Sequence, residues 1–138
     1  LKNYSIVQLS DLHIGYKLQK KSISYLVEEI LKIKPDIVII TGDLISAHID
    51  TIKNELFILK KMSFKIKTYF IYGNHEFKYG NDIKTIDIFL KNLNINTLIN
   101  QSILIENEFY LVGISDFLGR KHKLKPDFKK AFYGVDFK

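Results

Sequence analysis

The sequence predicts an α/β fold with a mixed sheet, built mainly on parallel strands. Three observations predict it. Short apolar runs rich in β-branched residues alternate with longer segments whose apolar residues recur at helical spacing. Two extended runs at the end have no helix between them and read as a hairpin. Polar residues cluster where each of the first three runs stops, the pattern expected at the carboxyl edge of a parallel sheet.

Taken in order, residues 4–10 (YSIVQLS) read as the first strand. Residues 21–34 (KSISYLVEEILKIK) place Ile23, Leu26, Val27, Ile30 and Leu31 on one helical face, and Pro35 stops that helix. Residues 36–41 (DIVIIT) form a continuous apolar run, as expected of a strand buried on both faces. Residues 50–62 (DTIKNELFILKKM) predict one helix with Ile52, Leu56, Ile58 and Leu59 inward and Asp50 or Thr51 near its cap. Residues 67–72 (KTYFIY) read as a third strand and residues 81–93 (NDIKTIDIFLKNL) as a third helix. A short strand at 96–100 precedes a hairpin over 102–115 with its turn at Asn107. The basic stretch 116–138 carries Gly119, Pro126 and Gly134 and reads as loop with a short helix near 125–132. The resulting order is β-α-β-α-β-α-β-β-β, with right-handed crossovers between the parallel strands.

The chain has 138 residues, enough for one domain with a core of its own. It has no cysteine, so disulfides and thiolate metal sites are excluded. Any metal must use oxygen and imidazole ligands. No run is long enough for a membrane helix, and no signal peptide is visible. The chain begins with Leu1, and its single methionine is Met62. It therefore reads as starting inside a longer product, with an upstream anchor or signal left open and a location that is cytoplasmic or peripheral at a membrane. Net charge is +6, but the lysines are dispersed and no arginine-rich patch stands out. That argues against nucleic acid as the main partner.

The chemistry lies at the strand ends. "SDLHIG" follows the first strand, with Asp11 and His13 on either side of Leu12. "TGDL" follows the second, with Gly42 and Asp43, and "GNHE" follows the third, with Gly73, Asn74, His75 and Glu76. On an extended segment, Asp11 and His13 would project to one face. Singly, Asp11 and Asp43 fit helix caps or turn residues, His13 a structural histidine, and Asn74 a left-handed turn. Three such groups in register after three successive strands are not explained by caps. Carboxylate, imidazole and amide together suit Mn, Fe or Zn.

With "DLH" at 11–13, "GDL" at 42–44 and "GNHE" at 73–76, the sequence resembles the calcineurin-like metallophosphoesterases. "YLVGISD" at 110–116 is also similar to bacterial members grouped with small membrane-associated phosphodiesterases. The resemblance implies a four-layer α/β sandwich holding two divalent metal ions. Asp11 and His13 would bind the first ion, Asp43 would bridge both, and Asn74 would bind the second. His75 would stand over the substrate, protonating the leaving oxygen or stabilising the transition state, with Glu76 supporting the ligands from behind.

The pattern departs from the family in two places. Family members close the site with later histidines, a single one and then Gly-His-x-His, and neither is present. His48 and His122 lack that context and read as surface residues. The chain is thus expected to be the N-terminal half of the sandwich, a single C-terminally truncated domain that binds one ion weakly and turns over little. The Asp-Arg-Gly signature of protein phosphatases is also missing after Asp43, where "LISAHID" follows. The expected reaction is hydrolysis of a phosphodiester or pyrophosphate in a phosphorylated small molecule or a lipid-linked substrate. A non-catalytic remnant serving as an interaction module is the alternative. Membrane association through segments outside the chain stays open.

Overall fold

The computed structural model describes residues 3–16, 18–122 and 124–137. Ile37 to Ile40 make up all but the last residue of β2 (Ile37–Thr41), which lies between β1 (Ile6–Leu9) and β3 (Lys67–Ile71). β4 (Ile95–Thr97) pairs with the far side of β3, giving a four-stranded sheet in the order β1-β2-β3-β4. All its pairings are parallel, with Ile6 beside Ile37, Ile39 beside Tyr69 and Phe70 beside Thr97. The hairpin of β5 (Gln101–Ile105) and β6 (Phe109–Gly113) is antiparallel and forms a second, two-stranded sheet. Its turn centres on Glu106 and Asn107, both at positive φ, the primed-turn geometry that matches strand twist.

Side chains on a strand alternate between faces, and here the two faces pack on different layers. Val38, Ile40 and Phe70 join the core under helices α1 (Lys20–Ile33) and α4 (Ile83–Asn92). Ile37, Ile39, Tyr69 and Ile71 face the other way and pack against Ile105, Phe109 and Leu111 of the hairpin. Helices therefore cover one face of the parallel sheet and the hairpin covers the other. Each fully buried large side chain here contributes about 1.5–3 kcal/mol relative to exposure.

The helix expected at 50–62 is broken at Ile52, whose φ of −124° and ψ of 13° are not helical, and runs on only from Lys53. A 3-10 turn (Ile49–Thr51) leads into α2 (Lys53–Leu56), a second 3-10 turn (Phe57–Leu59) and α3 (Lys60–Ser63). Leu56, Phe57, Leu59 and Lys60 all keep right-handed helical dihedrals. Ile52, Leu56, Leu59 and Met62 are buried, while Ile58 is half-buried. In α1, Ile23, Val27 and Ile30 are buried, and Lys34 closes the helix in the left-handed region just before Pro35. α4 starts at Ile83, not Asn81, because Asp82 caps it by accepting from the Thr85 amide at 3.1 Å. The last helix, α5 (Phe128–Ala131), is shorter than expected, and Asp127 caps it. No helix among the described residues is long and apolar enough to cross a membrane.

Candidate metal centre

The loops leaving β1 and β2 stay zipped together beyond the sheet. The Asp11 amide donates to Gly42 O at 3.2 Å, His13 to Asp43 O at 2.9 Å, and Ile14 to Leu44 O at 2.9 Å. Ser46 N returns a bond to Ile14 O at 2.9 Å. Within this zip Asp11, His13 and Asp43 have φ of 56°, 47° and 51°, in the left-handed region. That is uncommon for a histidine, and such conformations gather at functional sites. The extended backbone expected between Asp11 and His13 is therefore not what brings them together. The left-handed turns do so, placing His13 Nε2 at 3.7 Å from Asp11 Oδ1 and 4.0 Å from Asp43 Oδ2.

The loop after β3 is pressed against this pair. A methyl group on Gly42 would come within 2.7 Å of Gly73 Cα and N, and one on Gly73 within 2.5 Å of Asp43 N. Only glycines allow backbones this close. Glu76 locks the approach. It is fully buried, and Oε2 accepts from Gly73 N at 2.7 Å and Asp43 N at 3.0 Å while Oε1 accepts from Ile45 N at 3.1 Å. Burial pushes its carboxyl above the ordinary range, these three N–H bonds pull it down, and the Asp43 carboxylate pushes it up again. Glu76 thus ties two loops together from beneath the cluster.

Above it, donor atoms of His13, Asp43 and His75 lie within 4.8 Å of one another. The His75 amide donates to Asp43 Oδ1 at 2.9 Å. The two imidazole rings meet edge to face, 4.4 Å between centroids. Burial pushes the His75 imidazole below its usual pKa, the Asp43 carboxylate opposes this, and Lys78 and His13 add to it. The Asn74 carboxamide, nitrogen turned to Asp43, donates to Oδ2 at 3.0 Å and accepts from Lys78 Nζ at 3.2 Å. With a cation between Asn74 and Asp43 the reverse orientation, oxygen towards the carboxylate, becomes the favourable one. Imidazole, carboxylate and amide oxygen at this range thus fit a divalent metal ion.

Asp11, His13, Asp43, Asn74 and His75 all reach one place. The Asp11 side chain is the most open of the set, 65% exposed. His48 lies elsewhere, its Nδ1 accepting from the Asp50 amide at 3.4 Å, as expected of a surface residue. The His122 side chain falls outside the described residues. Ser46 was not legible as a site residue, yet its Oγ lies 2.7 Å from Nδ1 of both His13 and His75. Asn81 also carried no signal. It buries its amide, accepting from Ile49 N at 2.8 Å and donating to Ala47 O at 3.0 Å, and so holds the loop after β2.

The family model for calcineurin-like phosphoesterases matches residues 4–132. The chain belongs to the calcineurin-like phosphoesterase family. An uncharacterized metallophosphoesterase of Helicobacter pylori is 35% identical over 131 residues, covering 94% of this chain and 35% of that protein. A metallophosphoesterase of Campylobacter jejuni is 30% identical, over 86% of this chain and 31% of its own length. A Bos taurus transmembrane protein with a metallophosphoesterase domain is 29% identical, over 76% and 23% respectively. The chain thus spans about a third or less of these relatives. Among solved structures, Pseudomonas putida nuclease MPE aligns at a TM-score of 0.49 and 19% identity, over 67% of this chain and 46% of that one.

Proposed function

We propose that this calcineurin-like phosphoesterase chain carries the metal-binding part of a hydrolase acting on phosphodiesters or pyrophosphates. Its substrates are phosphorylated small molecules or lipid-linked compounds. The observation that carries the reading is the convergence of three strand-end loops that leaves His13, Asp43 and His75 with donor atoms within 4.8 Å. Asp11, His13 and Asp43 would hold one ion, and Asp43 with Asn74 a second. Bound there, two divalent ions supply Lewis acidity and an activated water for in-line attack on phosphorus. His75 faces the phosphoryl group and protonates the leaving oxygen or stabilises its developing charge. Lys78, against the Asn74 amide, adds positive charge on the same side. Glu76 holds the loops at their spacing and does not touch substrate.

In this reading the remaining ligands lie in the part of the longer relatives that this chain does not span. The 138-residue chain alone should then bind one manganese ion weakly and hydrolyse little. Isothermal titration that finds two tight manganese sites on it would contradict this. The activity test uses the longer protein with manganese, a generic phosphodiester and a generic monoester. Turnover is expected, with a loss of about 10²–10⁴-fold in His75→Ala. No turnover of either substrate, with His75→Ala indistinguishable, would leave a non-catalytic interaction module as the reading.

A further inference from the structure

Ser46 stands between two histidines that the proposed function treats differently. Its side chain is buried, 4% exposed, and its backbone is pinned by the Ser46 N to Ile14 O bond. Its Oγ lies 2.7 Å from His13 Nδ1 and 2.7 Å from His75 Nδ1. A hydroxyl carries one hydrogen and accepts through its lone pairs. Two bare Nδ1 atoms cannot share that one hydrogen. Two Nδ1–H groups would leave the buried hydroxyl hydrogen with no ring nitrogen to meet, a costly state. The balanced arrangement has one ring donating to Ser46 and the other accepting from it.

The surroundings decide which is which. His13 Nε2 faces the carboxylates of Asp11 and Asp43, at 3.7 Å and 4.0 Å. A cation among those oxygens needs that nitrogen bare, so the hydrogen of His13 sits on Nδ1 and points at Ser46. Ser46 then gives its own hydrogen to His75 Nδ1, and the hydrogen of His75 must be on Nε2.

We infer that Ser46 is a positioning residue that fixes His13 and His75 in opposite tautomers, one as a metal ligand and the other as a hydrogen-bond donor to a substrate oxygen. The inference deepens the proposed function and rests on it for the roles of the two rings. That the tautomers are opposite follows from the hydroxyl geometry, and which ring takes which follows from a cation at His13 Nε2. No proton changes hands in this arrangement. His75 acts through a held N–H dipole.

The test reads tautomers directly. Nitrogen NMR of the chain saturated with zinc, labelled at histidine and held well above the ordinary histidine pKa, assigns the protonated nitrogen of each ring. Hydrogen on Nδ1 of His13 and on Nε2 of His75 is the expected result. In Ser46→Ala the His75 preference should collapse and zinc affinity fall about tenfold, as loss of an orienting partner of a ligand does. Ser46→Thr, which keeps the hydroxyl, should restore both. The same tautomer on both rings of the wild type, or an unchanged pattern in Ser46→Ala, overturns the inference. Because activity plays no part in the readout, opposite tautomers in a protein that hydrolyses no phosphoester support the relay and count against the functional reading.

Discussion

Asp43→Asn is expected to remove divalent-metal binding while leaving the fold in place. The side chain keeps its shape and loses its charge. Asp43 has φ of 51°, a left-handed backbone that asparagine adopts as readily as aspartate. The acceptor that meets the His75 amide at 2.9 Å can be the asparagine oxygen. The new amide nitrogen would then face Asn74, whose own carboxamide turns over to present its oxygen. The Asp43 carboxylate also pushes the buried Glu76 carboxyl up, so its neutralisation relieves a like-charge contact. Stability of the metal-free protein should therefore change by about 1 kcal/mol or less, roughly 2–4 °C in melting temperature. Metal affinity should fall at least about 100-fold, the upper end of what losing a mere supporting partner costs. In the longer protein hydrolysis should drop below detection. Unchanged manganese affinity by isothermal titration would take Asp43 out of the ligand set. A collapsed melting temperature would make its role structural.

Much of this was legible in the sequence, and for definable reasons. The run Ile37 to Ile40 is apolar on both faces because helices pack on one side and the hairpin on the other. The helical face of α1 was readable from spacing alone, since Ile23, Val27 and Ile30 meet a single core. The convergence of the strand-end residues was readable because a parallel sheet gathers its carboxyl ends whatever the loops do. The means of gathering was not legible. The left-handed backbone at His13 depends on hydrogen bonds to Asp43 and Leu44, residues some thirty positions away. Ser46 was invisible for the same reason. A serine four residues after a glycine has no local signature, and its value lies in two imidazoles from other strands. The buried anchoring of Asn81 likewise depends on Ala47 and Ile49, so the sequence alone suggested a helix start there. Propensity and periodicity report local preference. They do not report which distant backbone a side chain will meet.

Gly42→Ala should show the opposite signature, a loss of stability and of metal binding together. Two costs coincide at this residue. Its φ of +91° lies in the region that side chains rarely adopt, and its new methyl would sit 2.7 Å from backbone atoms of Gly73. Backbone cannot swing aside as a flexible side chain can, so the loops after β2 and β3 must separate. Separation stretches the bonds from Asp43 N and Gly73 N to the same Glu76 oxygen, which no water reaches easily. It also draws Asp43 away from His75. Conformational strain and overpacking together should cost about 3 kcal/mol or more, a fall of roughly 10 °C. Gly80→Ala is the control, because it too has positive φ, +69°, but its methyl would meet nothing within 4 Å. It should cost only about 1–2 kcal/mol from the backbone alone. The difference between the two variants, read from denaturant or thermal unfolding, isolates the close approach of the two loops. Equal losses would mean that the glycine pair is needed for its dihedrals and not for bringing Asp43 and His75 to one site.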